Sequence, residues 1–241
     1  MKTIKITLLT ITMLLCSIAV SAHDFEVDGI YYEITSDTDL TVGVTFKGKS
    51  YNSHSNEYTG EVVIPEKIIH ANNTYSVTSI RSHAFEGCSN LVSIAIPKSI
   101  VSIGRYAFGL DGCSNVYITD LAAWCNIESE SIGHPFVQNN GNHLYLNGKE
   151  IIDLEIPDSI KRIGNYAFQG CSNMASIVIS NSVEYIGNNA FNGCSEVVSI
   201  TLSESVTNIG DGAFCGCSSL ASISIPESVA SIGNLAFNSC I

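Results

Sequence analysis

Basic residues are the scarcest feature of this 241-residue chain: 11 Lys and Arg stand against 23 Asp and Glu, and charged residues of all kinds make up only 14%. Soluble domains average roughly 25% charged residues, so the net charge of −12 reflects missing bases rather than abundant acids. Without any Lys or Arg cluster, the electrostatic attraction behind most nucleic-acid binding is lacking, and no nucleic-acid partner is expected. The chain also lacks a phosphate-binding or dinucleotide glycine motif, a Gly-x-Ser-x-Gly elbow and any known zinc spacing. No enzyme reading gains support, and no cofactor is expected. Apolar residues are plentiful at 45%, which excludes a disordered chain. Two types dominate, with 32 Ser and 31 Ile, and such an excess asks for a repeat.

The amino terminus reads as an address. Lys2 and Lys5 precede an apolar stretch from Ile6 to Val20 that closes on Val20-Ser21-Ala22. This is the pattern of a secretory signal peptide cleaved after Ala22. A membrane anchor is the alternative, but the run is short of the ~20 apolar residues a span needs, and Thr7, Thr10, Thr12 and Ser17 interrupt it. No later segment is long and apolar enough to cross a bilayer, so the expected location is secreted or cell-surface.

Ala-Phe recurs at 84–85, 107–108, 167–168, 190–191, 213–214 and 236–237, at intervals of 23, 23, 60, 23 and 23. Ile-Gly precedes most pairs and Gly-Cys-Ser follows four of them. A fixed period of 20–29 residues points to a leucine-rich-repeat solenoid. Short alternating runs follow, ending at Ile64, Ile96, Ile118, Ile156, Ile179, Leu202 and Ile225. Alternation predicts strands buried on one face, stacked into a parallel sheet of about seven strands with Ser93, Ala95, Ser176, Ser199, Thr201, Ser222 and Ser224 outward. The glycines are read as corners with positive φ. Phe85, Phe108, Phe168, Phe191, Phe214 and Phe237 form one inward ladder, and Cys88, Cys113, Cys171, Cys194, Cys217 and Cys240 another.

The fold class is therefore a mainly β repeat solenoid. Residues 23–60, with Asp28-Gly29 between apolar arms, are expected to form a β-hairpin cap, and 61–241 the solenoid. Within it, 119–153 is an insertion: Asp120 caps a helical turn carrying Trp124, and Asn147-Gly148 marks a hairpin, the two projecting from the coil. The carboxyl end carries no cap, which suggests self-association through that end or a shortened product of a longer gene.

Ladder cysteines are expected to act as small hydrophobes with free thiols. Cys125 and Cys215 fall outside the ladder and are the candidate reactive thiols. A metal site from Cys125, His134 and His143 can be drawn, but its spacing matches no zinc motif.

The frame Ile-Gly-x-x-Ala-Phe-x-Gly-Cys-Ser-x-x-x-x-Ile-x-Ile-Pro-x-Ser-Val, seen nearly whole in 209–229, resembles the BspA-like (Treponema pallidum-type) leucine-rich repeats of bacterial surface proteins. Phe25 to Tyr32 and the insertion, from Val116 to Cys125 and from Leu144 to Gly148, resemble segments recurring in that family, particularly in Bacteroidetes. The resemblance implies a secreted or surface protein engaged in protein binding or adhesion, with extracellular proteins or glycoproteins as partners and no catalytic residue to carry over. Trp124, Tyr145, Asp153 and Glu155 are the candidate binding residues. A structural spacer or self-assembling subunit without a specific ligand is the alternative.

Overall fold

The computed structural model describes residues 22–48, 56–109, 113–130, 135–136 and 142–240; the expected leader, apart from Ala22, falls on residues outside these. The chain opens with β1 (Phe25–Val27), β2 (Ile30–Ser36) and β3 (Thr41–Thr45), an antiparallel meander, and continues through β4 (Gly60–Val63), β5 (Lys67–His70) and β6 (Asn73–Ile80). Strand β3 pairs in parallel with β6, so the cap joins the coil through backbone hydrogen bonds as well as side-chain packing. Asp28 and Gly29 both take positive φ between the paired residues Val27 and Ile30, the two-residue turn whose twist suits a hairpin. Ala71 and Asn72 repeat this turn between β5 and β6 without the usual glycine, making a second hairpin.

The coil proper follows as β7 (Leu91–Ile96), β8 (Ser102–Ile103), β9 (Asn115–Ile118), helix α1 (Leu121–Cys125), β10 (Glu128–Ser129), β11 (His143–Leu146), β12 (Lys149–Glu150) and β13 (Asp153–Glu155). It ends with β14 (Arg162–Ile163), β15 (Ser176–Val178), β16 (Tyr185–Ile186), β17 (Ser199–Thr201), β18 (Asn208–Ile209) and β19 (Ser231–Ile232). One side of the coil is a sheet in the order β12-β11-β9-β7-β4, followed by β13-β15-β17. The opposite side carries a second ladder, β6, β8 and β10 in one group and β14, β16, β18 and β19 in another; β8, β14, β16, β18 and β19 are two-residue strands at the Ile-Gly positions.

Seven strands run parallel on the first side, with a different membership from that expected. Strand β11 pairs in register with β9, from His143 opposite Asn115 to Leu146 opposite Ile118. The hairpin therefore does not project: its first arm is a rung of the solenoid, and only β12 folds back. Conversely, residues 223–225 form no strand. They have a neighbouring rung on one side only, and Ile225 is left 39% exposed. Ile232 and Leu235 are exposed on the same terminal rung.

The core consists of aligned ladders. Val62, Ile94, Val116, Leu144, Leu154, Ile177 and Ile200 are buried inside the first side, and Ile163, Ile186 and Ile209 inside the second. Phe168, Phe191, Phe214 and Phe237 stack with ring centroids 5.2–5.4 Å apart and nearly parallel planes. At the other end Tyr58 extends the series Phe85–Phe108, its hydroxyl donating to the Thr45 carbonyl at 2.6 Å. Fully buried Phe136 supplies the missing member beside Phe168: a Cβ on Gly170 would meet its carbonyl oxygen at 2.6 Å. Phe136 thus fills a ladder position from within the 119–153 insertion, and in the sequence Ile132-Gly133 stands just ahead of it.

The two glycine positions of the frame do different work. In Gly-Cys, Gly170, Gly193 and Gly216 hold φ of +73 to +77. In Ile-Gly, the φ values are ordinary, and the constraint is rung-to-rung contact: a Cβ on Gly187 or Gly233 would lie 2.4–2.7 Å from backbone of the preceding rung. The positive φ expected there falls two residues on, at Tyr106, Tyr166, Asn189, Gly212 and Leu235.

Candidate functional site

Strand alternation sends every second side chain of the first side to solvent, and register aligns them in rows. One row runs Val63, Ala95, Tyr117, Tyr145 and then Glu150; another runs Glu61, Ser93, Asn115 and His143. Beyond the crossing into β13 come Asp153, Ser176 and Ser199, then Glu155, Val178 and Thr201. The face is less Ser-rich and more apolar than the sequence suggested. Ser93 is buried, whereas Val63, Val92, Tyr117, Ile152, Val178 and Val198, in these strands or one residue ahead of them, are exposed.

At the centre Tyr117 and Tyr145 stack, with centroids 4.6 Å apart and planes 18° from parallel. The Tyr145 phenol is raised above its usual pKa, first by partial desolvation, then by the charge of Glu150 and by Tyr117. Glu150 accepts from Asn173 Nδ2 and contacts His143 Nδ1, both at Oε1; Asn173 Nδ2 also lies 3.3 Å from His143 Nδ1. Beside this cluster Asp153 Oδ1 accepts from Ser176 Oγ at 2.5 Å, and Glu155 stands exposed opposite Val178.

Three of the four expected binding residues, Tyr145, Asp153 and Glu155, thus share one surface. Trp124 does not join them. It is 2% exposed and its indole N–H donates to the Ala167 carbonyl at 2.8 Å, so it seals the coil where α1 crosses it. Tyr117, His143, Glu150 and Asn173 were missed. An outward Tyr117 was readable from Val116-Tyr117-Ile118, but its stacking on Tyr145 depended on β11 being a rung.

The thiols belong to the core. Cys194, Cys217 and Cys240 reach back one rung, donating to the carbonyls of Phe168, Phe191 and Phe214 at 3.2–3.5 Å. Burial pushes Cys113 and Cys217 up to about 12, raises Cys171 further and holds Cys194 well above its ordinary value. Cys125 is corrected by the same cause: wholly buried at the end of α1, it is not a reactive thiol. Cys215 is half-buried. The paper metal site includes His134, outside the described residues; among those described, no group of three metal-ligating side chains occurs.

On the second side, the interruption between β10 and β14 opens a polar groove of about 630 Å³ lined by Ser79, Ser102, Glu128, Glu130 and Arg162 among others. It holds no nucleophile paired with a base. No helix of the described residues is long and apolar enough to cross a membrane.

Comparison with known proteins supplies the family. The model of the BspA type leucine rich repeat region matches six copies over residues 64–131 and 138–241. A leucine-rich repeat protein from Bacteroides ovatus is similar at 27% identity and a TM-score of 0.61, covering 90% of this chain and 51% of its own. This chain therefore spans about half the length of that protein. The T. pallidum leucine rich repeat protein is similar at 25% identity and a TM-score of 0.51, with 87% of this chain and 85% of that one covered. No curated protein matches. Six repeat copies over most of the sequence, on a coil whose ladders follow the repeat frame, place this chain in the BspA-type leucine-rich repeat family.

Proposed function

We propose that the protein is a secreted or surface-held binding module that engages another extracellular protein through the outward face of its first side. The observation that carries this reading is the exposure of Val63, Tyr117 and Val178 in the outward rows, with Val92, Ile152 and Val198 exposed at or just ahead of the strand starts. Exposed apolar surface of this kind marks interaction sites, and a stacked tyrosine pair at its centre is the side-chain type that anchors interfaces. The signal-peptide pattern at the amino terminus supports an extracellular setting.

The test is saturable binding of the immobilised chain, without residues 1–22, to purified extracellular matrix proteins, mucin and bacterial surface extracts. A Val178→Glu, Val198→Glu double variant, altered only at exposed positions, should retain its fold and lose the ligand at least about tenfold, as desolvating a charge in an interface requires. If no partner in the panel binds saturably, the reading falls. Self-association is a second reading, favoured by Ile225, Ile232 and Leu235 on the terminal rung, exposed 39%, 50% and 69%. A monomer by sedimentation velocity at high concentration overturns it.

A further inference from the structure

The binding face has a marked charge asymmetry. Among the aligned outward positions stand Glu61, Glu150, Asp153 and Glu155, with His143 as the one side chain able to become positive. No Lys or Arg occupies any of those rows. Elsewhere the protein's own cations cover tyrosine rings: Lys47 over Tyr31, Arg105 over Tyr106 and Arg162 over Tyr185, 5.0–5.8 Å from the centroids. No described cation lies over Tyr117 or Tyr145. Their row offers a small side chain, Ala95, on one flank and Glu150 on the other. Glu150 is held in place by His143 and Asn173 at one oxygen, and Oε2 makes no hydrogen bond among the described residues.

We infer that the Tyr117–Tyr145 pair and Glu150 receive an arginine side chain from a basic, extended segment of the partner polypeptide, the flanking valines packing against its neighbours. This assignment rests on the reading of the face as a protein-binding surface and names the chemistry of its occupant. A guanidinium matches both halves of the site: its plane stacks on an aromatic ring, and its N–H fork makes charge-assisted bonds to a carboxylate. The four carboxylates favour a cationic occupant over a neutral one, and an acidic partner would be repelled.

The experiment uses the full chain and a labelled Gly-Ser peptide carrying arginine at alternate positions, followed by fluorescence anisotropy. The same peptide with citrulline keeps the shape and removes the charge. The arginine peptide should bind saturably, the citrulline peptide about tenfold more weakly or worse, and added salt should weaken the first alone. Glu150→Gln, which retains the Oε1 acceptor for Asn173, should lower arginine-peptide affinity about five- to tenfold. Tyr145→Leu should do the same while Tyr145→Phe, which keeps a ring face, should not. Equal affinity for the two peptides, or indifference to both Glu150→Gln and Tyr145→Leu, overturns the assignment. The two readings fail separately: a protein ligand lost by the Val178/Val198 variant but unaffected by Glu150→Gln keeps the face and eliminates the arginine.

Discussion

At the scale of single residues, glycine gives the most direct check on the stacking. Gly170 and Gly193 occupy equivalent positions with φ of +73 and +77, so Ala at either must enter the left-handed region, at about 1–2 kcal/mol. Their neighbours differ: a Cβ on Gly193 finds nothing nearer than 3.7 Å, whereas on Gly170 it meets the Phe136 carbonyl at 2.6 Å. Gly170→Ala should therefore destabilise by about 1–3 kcal/mol more than Gly193→Ala, the usual range for overpacking, in urea unfolding. Equal losses would mean that Phe136 does not occupy the rung before Phe168. The comparison also shows what could be read from the chain alone. Ladder residues with a 23-residue echo were legible because their period fixes inward direction, and Phe85, Phe108, Phe168, Phe191 and Phe214 are buried along with Cys88, Cys113, Cys171, Cys194 and Cys217. Trp124 and Cys125 have no echo and Phe136 only an off-period one, and their burial depends on contacts with rungs distant in sequence.

At the scale of elements, hydrogen-bonded partners on both sides distinguish an inner rung from a terminal one. Strand β15 is paired with both β13 and β17, whereas residues 222–225 form no strand and leave a cleft beside β17 lined by Ile200, Ser222 and Ser224. The terminal rung is still attached elsewhere: β19 pairs with β18, and Phe237 stacks on Phe214. Native-state hydrogen exchange should accordingly show amides of 222–225 exchanging at least about a hundredfold faster than those of 177–179, since unpaired segments open at far lower free energy than inner strands. Protection equal to that of β15 would contradict the unpaired rung. The same logic explains which elements the sequence disclosed. Alternation recognises a strand but not its partners, so 223–225 and β11 read equally well as strands; an Asn-Gly turn recognises a hairpin but not whether one arm already belongs to a sheet.

At the scale of the whole molecule, the ladder of thiols couples stability to pH. Unfolded thiols ionise near pH 9.0, while burial holds Cys113 and Cys217 protonated to about 12, raises Cys125 and Cys171 beyond that, and holds Cys194 well above its ordinary value. A group whose folded pKa is raised lends stability that is fully present below its unfolded pKa and lost as pH climbs toward the folded value. Each buried thiol thus removes about 1.4 kcal/mol per pH unit above pH 9. Tyr32 and Tyr58, also raised by burial, act in the same direction above pH 10. Domains have only about 5–15 kcal/mol in hand, so five thiols acting together exhaust it within a few pH units. The chain should be insensitive to pH between 7 and 8.5, then lose stability with increasing steepness and unfold before pH 12, as followed by urea midpoints and circular dichroism under reducing conditions. A Cys194→Ala, Cys217→Ala variant, less stable at neutral pH through lost packing, should show an alkaline slope shallower by about 3 kcal/mol per pH unit, two thiols having left the titration. A wild-type urea midpoint that stays flat from pH 9 to 11 would place the thiols in water, and with them the inward ladder on which the coil is built.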